Sequence, residues 1–272
     1  MANIKKLITI TKEIRRDIIT MSLQAKSAHS GGAFSVVEIL VSLYFGVLRI
    51  NPRKPYDVTR DRLVFSKGHD AKALYTVLAA RGFFDKKILK RYEVDDGLLA
   101  GHSVRRAVPG IEVSAGSLGH GLSMAAGIAL ASKKMKKQYR VYAILSDGEC
   151  DEGSTWEAAL FSGHHNLENL TAIIDYNKLQ GFGFTKDVLD LEPFGDKWKA
   201  FGWNVYEVDG HDMKKMITLF TKIRKSSQRP SIVIAHTIKG LGGVAKYVNT
   251  VASQYKPPTE DEAREAIADL HI

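Results

Sequence analysis

At 272 residues the chain is long enough for one large α/β unit or two small domains, and its 44% hydrophobic and 25% charged content excludes disorder, collagen-like repeats and a pure coiled coil. A single cysteine, Cys150, excludes an intrachain disulfide and any multi-cysteine zinc or iron–sulfur site. The 39 Lys plus Arg against 30 Asp plus Glu leave a formal charge of +9; no basic patch is interleaved with aromatics, so the charge is a weak invitation and no nucleic-acid partner is expected.

In chain order, apolar periodicity predicts a first helix at about 4–22, whose Lys5, Lys6, Lys12, Arg15 and Arg16 interrupt the apolar stretch that a signal peptide needs. A second helix at about 34–48 holds the longest apolar run, Ile39 to Leu48, which is well under the roughly 20 residues that span a bilayer. No membrane span is expected, and a cytoplasmic location is the default. A β-rich run at Leu63–Ser66 and a helix at about 70–81 come next, then a Gly- and polar-rich connection over 82–118. From there strands at Val141–Ser146, Thr171–Tyr176, Asn204–Val208 and Ser231–His236 alternate with helices at about 119–135, 154–165 and 212–225. Lys133, Lys134, Lys136 and Lys137 sit where the first of these helices ends, a place that favours cations. Residues 177–200 read as a second long connection, Ser154-Thr-Trp-Glu157 as a capping box, and 259–269 as a last helix. This order predicts a single α/β domain over 1–272, a mostly parallel sheet with helices on both faces, and an irregular stretch from about 240.

Two strand ends carry the chemistry. The strand Val141–Ser146 runs into Asp147-Gly148, and Thr171–Tyr176 runs into Asn177, 30 residues on. Right-handed βαβ connection makes those ends neighbours, so Asp147 and Asn177 face one crevice at the carboxyl edge of the sheet. An Asp-Gly pair alone is often only a tight turn. A carboxylate, an amide oxygen and the loop carbonyl of Leu179 together form a hard-oxygen set suited to Mg²⁺, which completes its octahedron with phosphate oxygens and water. The implied ligand is a diphosphate.

At these residues the chain resembles the transketolase family. Asp-Gly followed by Asn is the thiamine diphosphate signature, and Asp147-Gly-Glu-Cys-Asp-Glu152-Gly-Ser-Thr-Trp-Glu-Ala is similar to transketolases in particular. Further similarity lies in Phe65-Ser-Lys67-Gly-His69, Ala100-Gly-His102, Val113-Ser-Ala-Gly116-Ser-Leu118-Gly-His-Gly121, and Lys197-Trp-Lys-Ala-Phe-Gly-Trp203 through Asp209-Gly-His211-Asp212. The resemblance covers about residues 10–258 and matches only the diphosphate-binding part of a transketolase. It therefore implies the N-terminal subunit of a split enzyme, active only with a C-terminal partner that carries the pyrimidine-binding domain, the two pairing as a heterotetramer. The implied reaction moves a two-carbon ketol unit from a ketose to an aldehyde acceptor. Phosphorylated or nucleotide-linked sugars are possible substrates.

Position by position, the resemblance implies that Asp147, Asn177 and the Leu179 carbonyl hold Mg²⁺, and that Gly148 and Glu149 approach thiamine diphosphate. Gly32, Lys67, His69, Gly116, Ser117, Leu118 and Lys239 also belong to the cofactor site; His29, His69 and His102 surround the reacting carbon; Glu152 is a dimer-interface glutamate. Each has a plainer reading, as a satisfied loop histidine, a surface lysine or a surface carboxylate. Two departures stand out. The first motif reads Ala28-His29-Ser30, without the proline that usually follows its histidine, and Gln254 stands where the family has a histidine that reaches diphosphate and substrate. Glutamine donates a hydrogen bond but takes up no proton near neutral pH. A related ligase or decarboxylase using the same cofactor, and a non-catalytic scaffold subunit, are the alternatives.

Overall fold

The computed structural model describes residues 3–272. Five strands, β1 (Arg62–Phe65), β2 (Val141–Ser146), β3 (Leu170–Tyr176), β4 (Asn204–Asp209) and β5 (Ser231–His236), pair in parallel in the order β1-β2-β3-β5-β4. Around them lie α1 (Ile4–Gln24), α2 (Ser30–Ser35), α3 (Val37–Ser42), α4 (Ala71–Arg81), α5 (Gly121–Lys134), α6 (Gly153–His164), α7 (Thr185–Val188), α8 (Phe194–Ala200), α9 (Met213–Ser226), α10 (Ala252–Tyr255) and α11 (Glu260–Asp269). Each central strand is apolar on both faces, and the alternation of side chains sorts its residues into two cores. Phe65, Tyr142, Ile144, Ile173 and Val233 pack with α1, α3, α4 and α9 on one side. Val64, Ala143, Leu145, Ile174 and Ile234 pack with α5, α6 and α8 on the other. The edge strand β4 is half-exposed, as its mixed Asn204-Val-Tyr-Glu-Val-Asp209 pattern requires.

The helix predicted at about 34–48 begins earlier, at Ser30, breaks at Val36 and ends in a wider turn over Leu43–Val47. Ser30–Val47 is 18 residues with mean hydropathy 1.5, enough by composition to cross a membrane; 83% of it is buried inside this fold, so its apolarity serves the core. The capping box expected at Ser154–Glu157 does not form. Helix α6 starts at Gly153 with no side-chain cap, because the Ser154 hydroxyl donates to the Gly119 carbonyl (2.9 Å) and ties the loop before α5 to α6. The box forms instead at Thr259, whose side chain and that of Glu262 exchange bonds at the start of α11. Helix α8 lies within 177–200, where only a connection was expected; Phe194 and Trp198 anchor its single buried stripe. Packing of α6 is close: a Cβ added at Gly163 would lie 1.8 Å from the Phe201 carbonyl oxygen.

One of the charged residues in the core is a lysine of α4. Lys72 of α4 is fully buried, and burial pushes its ammonium down to about 8 despite the through-space help of Asp70 and Glu93. Below about pH 8 the folded and unfolded chains both hold the proton, and the burial penalty is fully present. Between about 8 and the ordinary lysine value the unfolded chain binds more protons, so stability contributed at this site rises with pH. The unfolding free energy of the parent, relative to a Lys72→Met variant, is expected to climb by about 3 kcal/mol across that window in denaturant titrations. A difference that stays flat from pH 7 to pH 10 refutes it.

Candidate active site and cofactor cleft

Parallel pairing sends the carboxyl ends of β1, β2, β3 and β5 to one edge of the sheet, and the residues that leave those strands meet there. Lys67 and His69 follow β1, Asp147 and Gly148 follow β2, Asn177 and Leu179 follow β3, and Lys239 follows β5. Between them is a cleft of about 250 Å³. Small-molecule sites usually run to about 300–1,000 Å³, so the volume suits part of a site completed by another surface.

The base of the cleft is a buried charge network. Lys67 Nζ pairs with Asp70 (2.9 Å) and with Asp175, which also accepts from the Ser35 hydroxyl (2.6 Å) and from the Thr237 hydroxyl. Burial works against each of these charges, but the two carboxylates together hold the Lys67 ammonium above the usual lysine range. His69 and Lys67 likewise outweigh burial at Asp70 and hold its carboxyl well below the usual range. Asp70 Oδ2 lies 3.2 Å from His69 Nε2, and a Cβ at Gly32 would sit only 2.3 Å from the same carboxylate oxygen. Glycine at 32 thus lets α2 close over the network.

At the mouth, Asp147 is held by two backbone donors, Gly148 N–H (2.8 Å) and Lys178 N–H (2.6 Å). Burial, and then the charge of Asp175, still push its carboxyl up to about 6. Asn177 Oδ1 accepts from Leu179 N–H (3.1 Å), and the Leu179 carbonyl accepts from Lys239 Nζ (2.8 Å). Burial depresses the Lys239 ammonium. Asp147, Asn177 and Leu179 carbonyl form the oxygen-only set that a hard divalent cation takes, and a cation beside Asp147 would offset the burial of its charge. Lys239 on the Leu179 carbonyl shows that the same spot already accepts positive charge. The residues present fit a Mg²⁺–diphosphate group.

His29 opens α2 in a left-handed conformation (φ 58°) and donates its N–H to the Gln254 carbonyl (2.9 Å). Its ring lies 6.0 Å from that of His69, and burial, followed by this neighbour, lowers its imidazole below the ordinary histidine value. Gln254 Oε1 is buried with no hydrogen-bond partner among the described residues, beside the cleft.

Of the residues singled out in the sequence, His29, Gly32, Lys67, His69, Gly116, Leu118, Asp147, Gly148, Asn177, Leu179, Lys239 and Gln254 line this cleft. Four do not. Glu149 turns its side chain inward, accepting from the Ser66 hydroxyl and from Gly119 N–H (2.9 Å), so its carboxylate braces two loops behind the cleft. Ser117 is exposed; His102 is exposed too, and packs near Gly116, where an added Cβ would lie 3.4 Å from its ring. Glu152 lies exposed at the head of α6, against Gly119. Asp70, Asp175, Ser35 and Thr237 were not singled out. A carboxylate inside the apolar run Ala172-Ile-Ile-Asp175 was the available signal, because a fully buried carboxylate is almost always paired.

A parallel α/β sheet that gathers hard oxygens and lysines at its strand exits is built to hold a metal-bound diphosphate. Residues 5–269 match the model of the transketolase thiamine diphosphate-binding domain. The chain is 40% identical over 261 residues, 94% of its length and 90% of the relative's, to an apulose-4-phosphate transketolase subunit of Phocaeicola vulgatus. It is 40% identical over 242 residues, 89% of its length and 88% of the relative's, to the 6-deoxy-6-sulfo-D-fructose transketolase subunit SqwG of a Clostridium species. Its fold overlays the transketolase of Campylobacter jejuni with a TM-score of 0.93 at 28% identity, covering 99% of this chain and 43% of that one. The chain belongs to the transketolase family and comprises its thiamine diphosphate-binding domain.

Removing Asp175 leaves Lys67 with one counter-ion in a dry site. An Asp175→Ala variant is expected to lose about 3 kcal/mol of unfolding free energy in urea titrations, the cost of breaking a buried pair from one side. A loss under about 1 kcal/mol would mean the network relaxes around the gap.

Proposed function

We propose that the chain is the Mg²⁺- and diphosphate-binding subunit of a two-component transketolase that passes a two-carbon ketol unit from a ketose to an aldehyde. The convergence of Asp147, Asn177, the Leu179 carbonyl and Lys239 at one half-formed cleft carries the reading. Similarity to proteins that are themselves named as transketolase subunits, over 90% or more of their length, supports the two-component arrangement. Thiamine diphosphate, when bound, supplies the carbanion chemistry that such a transfer needs. The protein's part is placement. Asp147, Asn177 and the Leu179 carbonyl would hold the metal; Lys239, which donates to the Leu179 carbonyl in this structure, would be free to meet phosphate oxygens once the metal takes that carbonyl; Gly116 and Leu118 line the same cleft. His29, whose imidazole burial lowers below the ordinary histidine value, and His69, whose Nε2 is turned to Asp70, offer ring nitrogens to sugar hydroxyls and to oxygen charge that builds on the reacting carbonyl. Gln254 donates without exchanging a proton, which favours a donor whose chemistry needs no base at that position.

The donor is read as a ketose with an anionic end, in keeping with the cleft lysines and with two relatives named for a sugar phosphate and a sulfo-sugar. The partner supplies the pyrimidine-binding surface over the open side. Glu152, exposed at the head of α6, suits a contact between two copies of this chain, giving paired copies of each subunit.

Calorimetric titration of thiamine diphosphate into the chain, alone and mixed with its C-terminal partner, tests the reading. Heat is expected only with Mg²⁺, stronger in the mixture, and lost in Asp147→Ala. A formed complex that releases no such heat would leave a scaffold subunit that keeps only the fold. In the active complex, Gln254→His is expected to change the ratio of turnover between two ketose donors by about tenfold, the scale of one repositioned proton or hydrogen bond. Unchanged ratios and rates on every donor would remove Gln254 from the account.

A further inference from the structure

Lys72 has no ion pair, among the described residues, to account for its burial. Its Nζ donates to the Ala28 carbonyl (2.6 Å) and to the hydroxyls of Ser22 (3.0 Å), Ser27 (3.2 Å) and Ser30 (3.2 Å), and it lies 6.0 Å from the Tyr92 ring centre. Three of the four acceptors belong to Ala28 and the serines around it, and they bracket His29 on both sides. The Ala28 carbonyl is part of the peptide that sets the His29 φ angle, and Ser30 is the next residue. That φ, 58°, is one a non-glycine residue holds only when its surroundings enforce it. A core filler at 72 would be apolar, since an ammonium in this place costs free energy that a methionine would not. The His29 N–H in turn binds the Gln254 carbonyl, so the same clamp reaches both residues at that end of the cleft.

We propose that Lys72 is a positioning residue: from behind α2 it fixes the His29 peptide in its left-handed form and so aims the imidazole, and the Gln254 segment bonded to it, into the reaction cleft. The assignment rests on the reading of His29 as a group that meets the sugar, so one measurement follows the loop and another the reaction.

Lys72→Met, which keeps the length and removes every donor, is compared with the parent as the loaded complex with the partner, Mg²⁺ and thiamine diphosphate. Amide exchange over residues 28–30 is expected to speed up about tenfold, and kcat to fall about tenfold, with the thiamine diphosphate Kd within about twofold. Placed on a His29→Ala background, Lys72→Met is expected to cost no further kcat. Should Lys72→Met fail to fold, Ser27→Ala combined with Ser30→Ala withdraws two acceptors, and the same direction is expected at smaller size. Parent-like exchange at 28–30, or losses in kcat that simply multiply in the double variant, overturn the positioning role. A His29→Ala variant that turns over as fast as the parent instead overturns the reading of His29 in the cleft.

Discussion

Lys67 sits between two carboxylates in a place that holds almost no solvent, and the architecture of the catalytic edge depends on that contact. Its partners come from different parts of the chain: Asp70 opens α4, and Asp175 lies at the end of β3, where it also takes hydroxyls from Ser35 of α2 and Thr237 after β5. A buried pair of this kind adds little net stability against an apolar replacement, because desolvation offsets attraction. Its use here is geometric. One ammonium and two carboxylates pull α2, the β1 exit, β3 and the β5 exit to a common point, and the cleft lies just above that point.

The charges above the network follow from it. Asp175 already takes up much of the local positive charge, so Asp147, the next carboxylate outward, is left to bear its own burial and its repulsion from Asp175. Lys239, which faces the same carboxylates and also Lys67, turns to the Leu179 carbonyl instead. The mouth therefore holds an acid that gains from a cation and a base that gains from an anion, side by side. A metal–diphosphate pair brings both in one molecule.

Much of this was legible in the chain. The five strands fall within a residue or two of their predicted bounds, because apolar β-branched runs bounded by Gly and polar residues leave little choice in a two-sided sheet. The parallel order put Asp147 and Asn177 at neighbouring strand exits. What the pattern did not disclose depended on where side chains turn after the chain leaves regular structure. Glu149 and Asp147 are two residues apart, yet one faces inward and the other lines the cleft, since the tight turn after β2 reverses direction between them. Ser154 had the spacing of a cap and a nearer carbonyl to satisfy. Helix α8 is only seven residues long, too short for periodicity to mark. Lys72 lies beside a recognisable histidine motif, yet its partners Ser22 of α1 and Ser30 of α2 are 50 and 42 residues away in sequence.

Because the cleft exists only when four strand exits meet, the unfolded chain offers thiamine diphosphate nothing comparable to hold. Whatever binds there stabilises the folded form by mass action, by about 2.7 kcal/mol at a hundredfold excess over the dissociation constant. Supply of the vitamin then governs more than turnover. In a cell short of it, empty copies of this chain open more often and meet proteases more often, so the steady amount of the protein tracks the cofactor pool without any dedicated sensor.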